Sequence, residues 1–179
     1  MKSSFFIALG CFLFVGTVRA QTDSLHLPKQ FYVYADLELG GSQGDVYWQF
    51  SLAVQQNNNY LRLKGSDVFQ LNFGNKPLPG FGDIALIAGK SYTLGKYHNF
   101  KLGTGLALTH YRFDIGYGET IKKETIGLPV EMKYCYMIGW TAGFSLSFQH
   151  NFNSLKSYNA VTTGVAFGFL REKKNSLKR

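Results

Sequence analysis

Cysteine is scarce in this chain: two among 179 residues, Cys11 and Cys135. Cys11 lies inside an amino-terminal apolar stretch that reads as an export leader, so the mature chain keeps Cys135 alone. One thiol closes no internal disulfide and builds no paired-cysteine metal site. Long hydrophobic runs are equally scarce. The longest, Phe5 to Val15, falls short of the roughly 20 residues a helix needs to span a bilayer, which excludes a helical membrane protein. Beyond the leader no helical period is visible. A basic patch on the folded part is missing as well. The formal charge of +8 drops to +6 without Lys2 and Arg19, and Arg171, Lys173, Lys174, Lys178 and Arg179 less Glu172 carry +4 of that. The body is nearly neutral, which argues against nucleic acid as a partner.

What is present begins with the leader. Lys2 supplies a positive start, Phe5 to Val15 an apolar core, and Val18-Arg19-Ala20 a small-residue cleavage pattern before Gln21. Residues 1–20 are therefore expected to be a cleaved signal peptide. "ALGC" at Ala8 to Cys11 faintly resembles a lipoprotein box, but "FLFV" continues the apolar core past it. Residues 21–30 are expected as a periplasmic segment, 31–170 as one folded domain, and 171–179 as a solvated basic tail.

Within that domain, apolar and polar residues alternate in segments separated by Gly, Asn, Asp and Ser clusters. The alternation predicts eight strands, near 31–40, 45–55, 59–66, 83–94, 99–112, 125–137, 140–152 and 159–170. In "DVYWQFSLAVQ", Val46, Trp48, Phe50, Leu52 and Val54 share one face, opposed by Tyr47, Gln49, Ser51, Ala53 and Gln55. Strands one, five, six, seven and eight repeat the pattern, with Gly, Ala, Ser, Thr and a few charges opposite bulky groups. A soluble sandwich or calyx needs the bulky face to converge inward. Closing the sheet that way would leave the narrow, small-residue face outside. The opposite closure fits a thin lumen of small, polar and paired charged groups with an apolar belt against lipid. The expected fold is thus all-β: an eight-stranded antiparallel up-and-down transmembrane barrel.

Connection lengths agree with this. The gaps after Gln55, Leu94 and Met137 are short and fall at one rim. Those at 67–82 and 113–124 are long and fall at the other, as in barrels with brief periplasmic turns and larger outer loops. Strand four is ambiguous. Ile84, Leu86 and Ala88 favour a register that turns Lys90 toward lipid, which at the midplane costs about 2–4 kcal/mol. Either Lys90 lies near a rim and snorkels, or a bulge reverses the phase.

Near the carboxyl end, "TTGVAFGF" sets Thr162, Gly164, Phe167 and Phe169 in the spacing polar-x-Gly-x-x-aromatic-x-aromatic. This resembles the terminal-strand signal that the outer-membrane assembly machinery recognises. The chain from 21 onward resembles the small OmpX-type outer-membrane barrels of Gram-negative bacteria. "ETIGLPVEMKY" and "FSLSFQHNFNS" are similar to a group of small outer-membrane β-barrel proteins. The resemblance implies the outer membrane as location, with its lipid and the assembly machinery as partners.

Several residues are candidates for a site. Asp36, Glu38, Arg62, Lys64, Lys101, Glu131 and Lys133 all fall on the inward face and are expected to form a salt-bridged lumen plug rather than a gated ion path, since charges out of water must be paired. His110, Arg112, Lys122, Lys123 and Lys156 are candidates for lipopolysaccharide phosphates at the outer leaflet. Phe69, Leu71, Phe73, Leu78 and Phe81 place apolar groups in an outer loop, either as a surface for a partner or as a cover over the mouth. His150 has Ser147 and Ser154 nearby in sequence, but parity or loop position separates them, and no His-x-Ser motif occurs. Cys135 reads as a small lumen filler. The expected function is non-enzymatic, envelope-structural or surface-contacting, with no cofactor. The alternatives are a lipid A hydrolase or acyltransferase and a narrow channel.

Overall fold

A computed structural model describes residues 31–69, 80–116 and 119–169. The expected leader 1–20, segment 21–30, tail 171–179 and the loop residues Leu71, Phe73 and Leu78 lie outside the described residues. Eight strands follow in order: β1 (Phe31–Ser42), β2 (Asp45–Gln56), β3 (Asn59–Phe69), β4 (Gly80–Leu94), β5 (His98–Gly116), β6 (Glu119–Met137), β7 (Ala142–Asn153) and β8 (Tyr158–Gly168). Each pairs antiparallel with its neighbour, and β8 returns to β1 through the register Tyr34↔Gly168 to Gly41↔Val161, which closes the barrel. No described helix is long and apolar enough to cross a membrane.

Alternation fixes which face is which. Along β2 the side chains of Tyr47, Gln49, Ser51, Ala53 and Gln55 are buried, while Trp48, Phe50, Leu52 and Val54 are exposed. Exposure reaches 62% at Ile84, 64% at Leu106 and 71% at Ile126, whereas Arg62, Lys64 and Glu38 are 0% exposed. A protein that turns leucine out and arginine in is built for a solvent less polar than its own interior. Ends of the belt are marked by a change of chemistry. At the amino-terminal rim Tyr92, Tyr97, His98, Tyr136 and Trp140 are exposed, an aromatic girdle of the kind found at membrane interfaces. At the other rim, Trp48, Asp67, Gly82, His110 and Glu124 are successive partners across β2 to β6, so the lipid face turns polar there.

The turns obey local rules. Gln43 and Gly44 both take positive φ, 53° and 92°, as a two-residue hairpin of the primed type requires. Two expectations need correction. The segment 113–124 is not a long loop: β5 and β6 run on as 19-residue strands and are joined through 117–118. At that position the outer rim gains its height from strand rather than loop, with Phe113 and Ile121 as cross-strand partners on the side that continues the lumen face. The seventh strand begins at Ala142, which leaves Trp140 in the inner turn, its ring against Phe169 at 5.8 Å.

The ambiguity at Lys90 resolves in favour of the rim. The β3–β4 and β4–β5 registers run without a shift from Gly82 to Lys90, and the Lys90 ammonium donates to Asn59 Oδ1 at 2.7 Å beside the inner β2–β3 turn. Lys90→Met is expected to alter unfolding free energy in lipid vesicles by no more than about 1 kcal/mol, as for charges near an interface. A loss of the midplane size would place Lys90 in the hydrocarbon.

Candidate functional site

The lumen is filled in layers. Buried charged groups among the described residues number four acids, Asp36, Glu38, Asp83 and Glu131, and four bases, Arg62, Lys64, Lys101 and Lys133. Their charges cancel. Arg62 of β3 is the hub: its guanidinium donates to Asp36 Oδ1 at 2.7 Å, to Glu131 across the lumen, and through Nε to Ser51 Oγ at 2.7 Å. The planar fork serves three acceptors at once, which one ammonium could not do in that geometry. Lys133 bridges Asp36 at 2.8 Å and Glu38 at 2.6 Å. Glu38 also accepts from Ser145 at 2.7 Å, Thr162 at 2.6 Å, and from Ser147 and Gln49.

A second centre sits nearer the outer end. Lys64 pairs with Asp83 at 2.9 Å and donates to Gln149 Oε1 at 2.7 Å, while Asp83 accepts from Ser66 at 2.7 Å and from Tyr158. Lys101 stands apart from both. It donates to the Tyr34 hydroxyl and lies over that ring, 3.8 Å from the centroid. Glycines make room for polar side chains packed beside these centres. A Cβ at Gly103 would strike the Tyr60 hydroxyl, and one at Gly127 would strike the Asn151 amide oxygen. Cys135 is buried in an apolar cluster with Tyr34, Ala53, Met137 and Ala166.

Above the charges, Tyr47, Val68, Phe81, Tyr111, Tyr158 and Ala160 form an apolar cluster across the outer mouth. Phe81 is its centre, with ring centroids 4.3 Å from Tyr158 and 5.8 Å from Tyr111. Of the two expectations for Phe81, a partner surface or a cover over the mouth, its burial fits the cover, with the correction that it belongs to a strand rather than a loop. Phe81 is the first inward position of β4 and is buried, since Ile84, Leu86 and Ala88 face lipid and odd residues therefore face the lumen. Phe69 ends β3. Over the cluster remains a cleft of about 90 Å³ bounded by Gln43, Asp45, Arg112, Phe113 and Lys156 among others.

The basic candidates do not form one group. His110, Arg112 and Lys122 share the outward face of β5 and β6, with Arg112 directly opposite Lys122 and bridged to Asp67 at 2.8 Å. Lys123 is on the other face, over the Phe113 ring at 5.9 Å, and Lys156 lies across the mouth in the β7–β8 turn. His150 bonds Asn159 Oδ1; Ser147 is turned inward onto Glu38, and Ser154 bonds the Thr125 hydroxyl at 2.8 Å. No histidine–serine pair is assembled among these residues. Nor do the described residues include a group of His, Cys, Asp or Glu able to hold a metal. In β8, Thr162 and Gly164 face the lumen and Phe167 is exposed on the lipid side; Phe169, just past the strand's end, is exposed as well.

Residues that sequence reasoning missed are Asp83, which balances Lys64, and the tyrosines Tyr34, Tyr47 and Tyr158. Parity carried the signal for Asp83: with Ile84 outward, its neighbour faces in. Nothing in the sequence marked Tyr158 as a partner of Asp83, since the two are 75 positions apart.

No protein-family model matches the chain, and no curated protein sequence resembles it. Solved structures do. Neisserial surface protein A superposes with a TM-score of 0.63 at 17% identity, covering 78% of this chain and 97% of that one. The N-terminal β-barrel domain of Pseudomonas aeruginosa OprF gives 0.65 at 13% identity, covering 79% and 99%. Ail, the attachment invasion locus protein of Yersinia pestis, gives 0.55 at 9%, covering 79% and 97%. By fold, the chain is a small closed eight-stranded antiparallel barrel of the kind these outer-membrane proteins share.

Proposed function

We propose that the chain is a non-enzymatic outer-membrane barrel whose role, structural or in surface contact, is exercised at its extracellular end. One observation carries this reading: the lumen is occupied by mutually compensating charges beneath an aromatic stopper, so the groups open to a partner are those above the outer rim. Export uses the leader 1–20, and assembly uses Thr162, Gly164, Phe167 and Phe169 as the recognition strand. His110, Arg112 and Lys122 contact lipopolysaccharide phosphates from the outward face, with Lys123 and Lys156 reaching anionic groups from the mouth. Phe69, Leu71 and Phe73 belong to a surface offered to an extracellular protein or ligand. Ail has been seen with the heparin analogue sucrose octasulfate, which makes sulfated saccharides a sensible first probe here.

The test takes the chain folded into vesicles. Planar-bilayer recording is expected to show no discrete conductance steps, and labelled lipid A is expected to remain intact. Lipopolysaccharide retention is expected to fall roughly tenfold in the Arg112→Glu/Lys122→Glu variant, as loss of two charge-assisted contacts implies. Conductance steps would make the protein a channel. Lipid A turnover abolished by changing His150 would make it an enzyme.

A further inference from the structure

The lipid side of the barrel carries a groove of about 610 Å³ across β5 to β8. Two rows of outward residues bound it. Phe100, Tyr134 and Leu146 are successive cross-strand partners in the row nearer the inner rim, and Met132, Phe148 and Val161 in the next. Rows two residues apart on one face of a strand stand about 6.8 Å from each other, room for a single polymethylene chain between them. The floor is Tyr134, half-buried, its ring 4.9 Å from that of Phe100 and 6.0 Å from that of His98.

The groove climbs through the wall. Strand stagger carries each row away from the inner rim by one residue per strand. Counted from the inner strand ends, Phe100 is two residues in, Tyr134 three and Leu146 four, while Met132 is five, Phe148 six and Val161 seven. One end therefore lies in the aromatic girdle beside His98, the first residue of β5, and the other well inside the apolar belt. That is the course of one acyl chain of an inner-leaflet lipid, from headgroup level toward the bilayer centre.

The end at the girdle is polar and basic. The Tyr134 hydroxyl meets His98 Nδ1 at 2.8 Å. With that hydroxyl donating, the neutral imidazole carries its proton on Nε2, on the ring edge away from Tyr134. Lys96, in the turn before β5, is exposed, its ammonium 5.0 Å from the centre of the Tyr97 ring. Acids are kept from this end. Among the described residues, Asp45, Asp67, Asp114, Glu119 and Glu124 stand toward outer strand ends. The others, Asp36, Glu38, Asp83 and Glu131, are buried in the lumen, which leaves none on the inner rim. An apolar slot that ends at an imidazole and an ammonium, with no carboxylate to repel an anion, matches a lipid phosphate.

We propose that this groove holds one phospholipid of the inner leaflet, with an acyl chain between the two rows and the phosphate on His98 and Lys96. The basic rim makes an anionic headgroup the preferred one. The site is at the opposite end of the barrel from the extracellular surface assigned above, goes beyond that role and does not depend on it.

The experiment uses the chain folded in a non-ionic detergent, with heat-modifiable migration confirming each variant as a barrel. Native mass spectrometry counts the lipids retained as phosphatidylglycerol or phosphatidylcholine is added. Wild type is expected to retain a single phosphatidylglycerol, at roughly tenfold lower lipid concentration than it needs for phosphatidylcholine, the effect of one charge-assisted contact. Lys96→Gln/His98→Phe is expected to erase that preference. Val161→Trp, which fills the inner reach of the groove, is expected to weaken retention of both lipids roughly tenfold. Val54→Trp, the same change on the lipid face of β2, is expected to leave retention as in wild type. Equal retention in the two tryptophan variants, or a wild type that gathers several lipids indifferently or none, overturns the site. A preference that survives Lys96→Gln/His98→Phe overturns the placement of the phosphate.

Discussion

Replacing Arg62 by leucine is expected to cost about 3–5 kcal/mol of unfolding free energy, or to prevent the barrel from closing, because it strands two buried carboxylates. Asp36 and Glu131 both lose their guanidinium partner, and Ser51 loses its donor. Asp36 retains Lys133 at 2.8 Å, so Glu131 bears most of the loss. Combining Arg62→Leu with Glu131→Gln leaves three buried acids against three bases and keeps Asp36 on Lys133, and is expected to recover much of the stability, because no uncompensated charge remains. Urea unfolding in vesicles, followed by fluorescence of Trp48 and Trp140, measures both. If the double variant is no better than the single one, the network matters through shape rather than charge.

The second large effect concerns the outer wall. Leu106 faces outward at 64% exposure, with Leu86 beside it in register. Leu106→Arg is expected to destabilise the barrel by about 2–4 kcal/mol in vesicles, the cost of a guanidinium at the bilayer midplane, while Leu94→Arg at the inner end of β4 is expected to cost no more than about 1 kcal/mol. That gradient with depth is the signature of a hydrocarbon slab. An equal response at both positions would mean that the wall does not sit in lipid as its chemistry implies.

Architecture was legible because side-chain period and backbone period coincide in a strand. Once Trp48 and Leu52 were assigned to lipid, Gln49 and Ser51 had to face the lumen, and the same logic placed Asp36, Arg62 and Glu131 inside. Parity tells direction but neither distance nor height. It gave no means to see that Arg62 reaches Glu131, 69 positions away, while Lys101 is left to Tyr34. Strand ends were harder still. Residues 113–124 are polar enough to read as a loop, since above the membrane no lipid selects an apolar face and the alternation fades. The resulting strand extension was missed. Phe81 was misplaced for a related reason: it lies just before the sequence-predicted start of strand four, where inward parity had no strand to act on.

The Glu38 carboxylate gathers its ligands from four other strands on both sides of β1: Gln49 from β2, Lys133 from β6, Ser145 and Ser147 from β7, Thr162 from β8. A curled but unjoined sheet leaves this acid with few of them, hydrated and unable to shed its water. Joining the first strand to the last delivers the missing donors in a single event, so drying of the interior and sealing of the wall are one cooperative step. Intermediates with a gap between β1 and β8 are consequently penalised twice, by idle peptide groups and by a naked charge. The barrel is thereby driven to be either whole or not inserted at all.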